Sequence, residues 1–149
     1  MISDPVPSAD DPYDLQRFVA AQGRCYDQAR AELRAGHKRT HWMWFVFPQL
    51  DGLGRSLTAR RYAIRSLDEA RAYLQHPLLG PRLGECTAIV NGLQGVSARQ
   101  VFGTPDDLKL RSSMTLFDLV APSGFDFAAV LDKYFGGQRD ERTLALLGR

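Results

Sequence analysis

Cysteine is scarce in this chain of 149 residues: there are two, Cys25 and Cys86, with no CxxC pair and no histidine spaced to complete a zinc site. That excludes a disulfide framework and a structural zinc, and nothing in the sequence implies another metal or a cofactor. A chain of this length folds without such staples, because it can bury roughly 68–70% of the surface its unfolded form exposes. Long apolar runs are also missing. The longest, residues 42–47 (WMWFVF), falls far short of the ~20 residues of a membrane helix, so no membrane association is expected. Residues 1–14 have neither the basic nor the apolar region of a secretory signal and are too acidic for a transit peptide. A cytoplasmic protein with reduced thiols is expected. Charge of one sign is lacking too: 19 Lys and Arg stand against 17 Asp and Glu. Such a balance gives no strong nucleic-acid signal and argues against an anionic-membrane coat. HExxH, GxSxG, P-loop, dinucleotide and EF-hand patterns are all absent, so no reaction type follows from motifs.

What is present is helix punctuation. Residues 1–10 read as a flexible lead-in, and residues 11–149 as a single helical domain. Asp11-Pro12 offers an N-cap and a first-turn proline to a helix whose face is Leu15, Phe18, Val19, Tyr26, Ala29 and Leu33, with Gly23 as a break point and Gly36 as a stop. Ser66 with Glu69, and Ser97 with Gln100, have capping-box spacing. Leu79, Leu83, Cys86, Val90 and Leu93 recur at helical period. Thr104-Pro105-Asp106-Asp107 combines a cap, a proline and two acids at the positive end of a helix dipole. Phe127, Val130, Leu131 and Tyr134 form a further stripe closed by Gly136-Gly137, and Asp140 caps a last short helix. The aromatic run 42–47 has no comparable strand to pair with, so it reads as a short buried helix or irregular core segment. The predicted fold class is all-α, one multihelical bundle around that segment.

Charge is uneven along the chain. Residues 1–23 hold one base against four acids, residues 24–65 nine bases against three acids, and residues 66–149 nine bases against ten acids. The basic segment surrounds the aromatic run.

Three stretches, HWMWFVFPQL (41–50), GLG (52–54) with ARRYAI (59–64), and FGTPDDLKLRSSMTLF (102–117), resemble an uncharacterised bacterial domain-of-unknown-function family, sometimes mislabelled "calpastatin". The resemblance spans roughly residues 12–147. It implies a multihelical cytosolic protein and carries over no activity, substrate or catalytic residue. Calpastatins are disordered inhibitors, whereas this chain is patterned for a packed core.

Three polar clusters are candidates for chemistry. Lys38 and His41 precede Trp42 and Trp44, a setting in which cations beside indoles can hold a planar anion, although a solvated basic turn explains the same letters. Gly52, Gly54 and Arg55 lead to Ser56 and a short helix bearing Arg60; backbone N–H groups there could face an anion, and a plain glycine turn with a serine cap is the simpler account. Lys109, Ser112 and Ser113 share a helix face, where small residues also serve close packing. Arg61 and Arg65, with Arg60 beside them, form a thin basic stripe if one helix carries them. The first functional expectation is a small-molecule site for an anionic, nucleotide-like or phosphate-bearing ligand, built from Lys38, His41, Trp44, Gly52, Gly54, Arg55, Arg60, Lys109 and Ser113. The alternative is a non-catalytic helical interaction domain turning its basic face to a protein or nucleic acid.

Overall fold

In the computed structural model, which describes residues 10–149, all regular structure is helical. The lead-in expected over residues 1–10 lies, apart from Asp10, outside the described residues. The elements are α1 (Gln16–Arg34), α2 (Met43–Val46), α3 (Leu57–Arg61), α4 (Leu67–Gln75), α5 (Leu79–Gly92), α6 (Ala98–Phe102), α7 (Asp106–Asp118), α8 (Phe127–Phe135) and α9 (Glu141–Leu146). The all-α expectation holds, and the aromatic run forms the short helix α2, with Met43 and Val46 buried and Trp44 and Phe45 half-buried. Leu50 and Ile64 form an isolated parallel β-bridge.

Helix α7 is the central element, packed against α4, α6, α8 and α9, while α1 and α4 pack on α5. Its residues Leu110, Met114, Leu116 and Phe117 are wholly buried. Aromatic rings carry the core outward from it: Phe117 meets Tyr73 at 5.3 Å and Phe127 at 5.9 Å, and Tyr73 meets Phe18 edge-on at 5.2 Å. Trp42, also fully buried, meets Phe102 edge-on at 6.4 Å. Such edge-to-face pairs add about 0.5–1.5 kcal/mol each beyond their area.

Most caps stand where the letters put them. Ser97 and Gln100 form a complete capping box, Asp140 accepts from the Thr143 N–H, and Gly136 ends α8 in the left-handed region at φ 61°. Four local expectations are corrected. Helix α1 starts at Gln16, later than Asp11-Pro12 suggests, because Asp14 turns the chain at φ 51°; the Asp11 carboxylate still accepts from the Leu15 and Gln16 N–H groups. Gly23 faces solvent within the unbroken α1, where glycine costs only about 1 kcal/mol relative to alanine. Pro105, not Thr104, takes the N-cap position of α7, and no side chain caps it. Ser66 caps α4, but Glu69 does not complete the box: its carboxylate accepts from Arg65 N–H and from Arg17.

Two buried ionic groups tie the loops to this core. The Arg17 guanidinium gives one bond from Nε to Arg61 O, two from Nη1 to Tyr13 O and Asp14 O, and two from Nη2 to Ala63 O and Glu69 Oε2. These use its full complement of five N–H donors. They hold residues 61–64 against α1, and Ile64 in turn holds residues 49–51 through the Ile64 N–Gln49 O and Asp51 N–Ile64 O bonds, both 2.8 Å. The Glu32 carboxylate accepts from Arg39 N, Thr40 N, Thr40 Oγ1, Trp42 Nε1 and Gln28 Nε2 at 2.7–3.0 Å. It fixes the loop that delivers Lys38, Trp42 and Trp44.

Candidate functional site

The basic loop from α1 to α2 and the first turn of α7 meet at one carboxylate. Asp106 Oδ2 lies 2.9 Å from Lys38 Nζ, and Asp106 Oδ1 lies 3.2 Å from Lys109 Nζ. Each ammonium also stands over an indole, Lys38 at 5.1 Å from the Trp42 ring and Lys109 at 4.9 Å from the Trp44 ring. The two lysines have different fates. Lys38, with a side chain only 7% exposed, also donates to Thr40 O and serves as an internal tie. Lys109 keeps 24% of its side chain exposed and opens onto a cleft.

That cleft has a volume of about 520 Å³. Trp44 of α2 forms one wall, and Gln49, Leu53, Gly54, Arg55 and Ser56 form the loop wall. Pro105, Leu108, Lys109, Arg111 and Ser112 come from the start of α7, and Asp140 and Arg142 close the far end. The loop wall is built tightly: a Cβ on Gly54 would lie 2.5 Å from Ala59 Cβ, so only glycine lets the loop press onto α3. Ser56 Oγ caps that helix by accepting from Ala59 N–H at 3.0 Å. A neighbouring hollow of about 670 Å³ shares Arg111, Asp140 and Arg142 but has no aromatic wall and adds the acid Glu141.

Four cations, Arg55, Lys109, Arg111 and Arg142, thus line the cleft against one carboxylate, Asp140. That carboxylate is engaged, accepting from Thr143 N at 3.0 Å and Thr143 Oγ1 at 2.5 Å. Its other oxygen stands 3.8 Å from Arg111 Nη2, beyond hydrogen-bonding reach, and the buried Arg111 Nε has no partner. The lining therefore offers positive charge beside an aromatic face. It contains no histidine or cysteine, and the Ser112 hydroxyl donates to Leu108 O. Such a set suits holding an anion and lacks the paired nucleophile and base of acyl transfer.

Of the residues singled out from sequence, Trp44, Gly54, Arg55 and Lys109 come together in this cleft. Lys38 reaches it only through Asp106. Gly52 sits beside it at φ 100°, its backbone against Leu146. His41 and Arg60 are exposed outside the lining, and Ser113 is fully buried with its hydroxyl unpartnered. The helical basic stripe does not form, because α3 ends at Arg61 and Arg65 lies beyond it. Of the nine bases in residues 24–65, Arg30 and Arg34 face Glu85, and Lys38 faces Asp106. No sequence pattern marks Arg111, Asp140 or Arg142 as site residues. Their signal is tertiary, since the packing of α7 on α9 brings them together.

Among the described residues no three His, Cys, Asp or Glu gather as a metal site, and no helix is long and apolar enough to cross a membrane. A family model described as "Protein of unknown function (DUF1810)" matches residues 12–147, the span over which the three sequence motifs suggested a family. The crystal structure of the conserved hypothetical protein Rv1873 from Mycobacterium tuberculosis is similar, with 62% identity and a TM-score of 0.91. The match covers 93% of this chain and 99% of that one. No curated protein matches the chain.

Proposed function

The chain belongs to the DUF1810 family, whose description assigns no activity, and from the geometry of the cleft we propose that it binds a small anionic, nucleotide-like or phosphate-bearing molecule. The observation that carries this reading is the Lys109 ammonium, 4.9 Å above Trp44 in a cleft that Arg55, Arg111 and Arg142 also line. A phosphate or carboxylate would sit against the cations, and a planar group against the indole. Free thiols at Cys25 and Cys86 support a reducing, cytoplasmic setting, and the continuous core supports one folded domain over residues 11–149.

A thermal-shift panel of nucleotides, sugar phosphates and carboxylates tests the reading. A ligand at one hundred times its Kd stabilises by about 2.7 kcal/mol, which for a chain of this size raises Tm by roughly 5–11 °C. Lys109→Met should abolish the shift while leaving the unliganded Tm within about 2 °C, since Asp106 retains Lys38. A panel with no response refutes the proposal.

A further inference from the structure

Lys38, Asp106 and Lys109 form one chain of charges, and of the three only Lys109 lines the cleft. Asp106 and Lys109 are three residues apart on α7, close enough to make an ion pair unaided. Such a pair is neutral as a unit and leaves its lysine little charge for a ligand. Lys38 enters from the loop between α1 and α2 and alters that balance. It stands nearer the carboxylate, at 2.9 Å against 3.2 Å for Lys109, and its side chain is 7% exposed against 24%. Its position is fixed from three other sides. The ammonium donates to Thr40 O at 2.6 Å and stands over the buried Trp42 ring, and the Lys38 backbone N–H donates to Val101 O at 2.7 Å. Leaving a buried ammonium unpaired is costly, so the Asp106 carboxylate is held by Lys38. Two cations on one carboxylate sum to a single positive charge, and the difference in exposure puts that charge on Lys109.

We infer that Lys38 is a positioning residue of the anion site: beyond tying its loop, it offsets Asp106 and thereby leaves Lys109 charged toward the ligand. This rests on the cleft being an anion site. Lys38 touches no ligand and acts through Asp106 alone. Tying the loop needs only a hydrogen-bond donor, which a neutral side chain would supply without the cost of burying a charge. Offsetting a carboxylate needs the full charge. The same carboxylate holds Lys109 over Trp44, so one acid places the ligand's cation and the buried lysine keeps that acid from neutralising it.

The test is isothermal titration of wild type and variants with inorganic pyrophosphate and with adenosine monophosphate. Lys38→Met and Asp106→Asn break the same contact but change the charge in opposite directions. Lys38→Met should weaken both ligands about tenfold, on the order expected for one charge lost near an anion at a protein surface. Asp106→Asn should bind both as tightly as wild type or more tightly. The double variant K38M/D106N has the wild-type net charge and leaves no buried charge unpaired, so it should bind within about threefold of wild type. It decides the matter even where Asp106→Asn alone is too unstable to titrate. If Asp106→Asn loses affinity as Lys38→Met does, or the double variant stays as weak as Lys38→Met, the inference is overturned and Lys38 is a loop tie only. Wild-type affinity in Lys38→Met also overturns it and leaves the anion site standing. Binding of neither ligand to wild type, or undiminished binding by Lys109→Met, overturns both readings.

Discussion

Replacing Glu32 by alanine should destabilise the protein more than any surface charge change, and should do so through the loop that builds the cleft. The Glu32 carboxylate is 4% exposed and forms no ion pair among the described residues; five hydrogen-bond donors satisfy it instead. In the alanine variant the Thr40 hydroxyl and the Gln28 amide can turn elsewhere. The backbone N–H groups of Arg39 and Thr40 belong to exposed residues and recover water. The Trp42 indole N–H cannot, because Trp42 is wholly buried. One fully unsatisfied donor plus several lost charge-assisted bonds gives a loss of about 3–4 kcal/mol. Glu32→Gln keeps an acceptor for the indole and the two backbone donors and should lose about 1–2 kcal/mol. Urea denaturation followed by far-UV circular dichroism reads both; with a slope of about 2 kcal/mol/M the alanine midpoint falls by roughly 1.5–2 M. The pH dependence supplies a second test. Burial pushes this carboxyl up, but the hydrogen bonds from Arg39, Thr40 and Gln28 outweigh it and hold the group well below its ordinary 4.5. A folded-state value lower than the unfolded one means the stabilisation is whole above pH 4.5 and is lost as pH falls below it. The gap between wild type and Glu32→Gln should therefore be widest near neutrality and close in acid. An alanine variant that loses under about 1 kcal/mol, or a gap that grows in acid, would refute the reasoning.

Three further outcomes follow from single positions. Gly80→Ala places a Cβ 2.1 Å from Leu74 O, a backbone atom that cannot move aside, so urea unfolding should show a loss of about 2 kcal/mol or more. Ser113→Ala removes a fully buried hydroxyl that has no partner, so it should leave stability unchanged or raise it by up to about 1 kcal/mol, and it should leave ligand shifts intact. Burial pushes the Cys86 thiol up to about 12, so mass spectrometry after iodoacetamide at pH 8 should find Cys86 unmodified in the native protein and alkylated in urea.

Where a local rule depends on neighbours in the chain, the letters and the structure agree. The Ser97 capping box, the Asp140 cap, the glycine stop after α8 and the helical period of α5 each rest on residues three or four apart, and each stands in the fold. Where the decisive partner is remote, the letters mislead. Ser66 and Glu69 have the spacing of a capping box, yet Glu69 turns to Arg17, fifty-two residues away, because a buried guanidinium is the stronger partner. Lys38 and Lys109 both look like ligand-binding cations, and only burial against Asp106 separates the internal tie from the one that opens onto the cleft.

The sequence by itself determined the helical class, the family and most helix ends, because periodicity, capping and punctuation act over a few residues and need no tertiary partner. It also located the basic segment around the aromatic run. Tertiary structure alone decided which of those charges share a cleft. The packing of α7 on α9 adds Arg111, Asp140 and Arg142 to the lining, and the assembled fold leaves Ser113 buried while its neighbour Leu108 stays exposed at the cleft. Side-chain accessibility is a property of the assembled surface, and no local pattern encodes it.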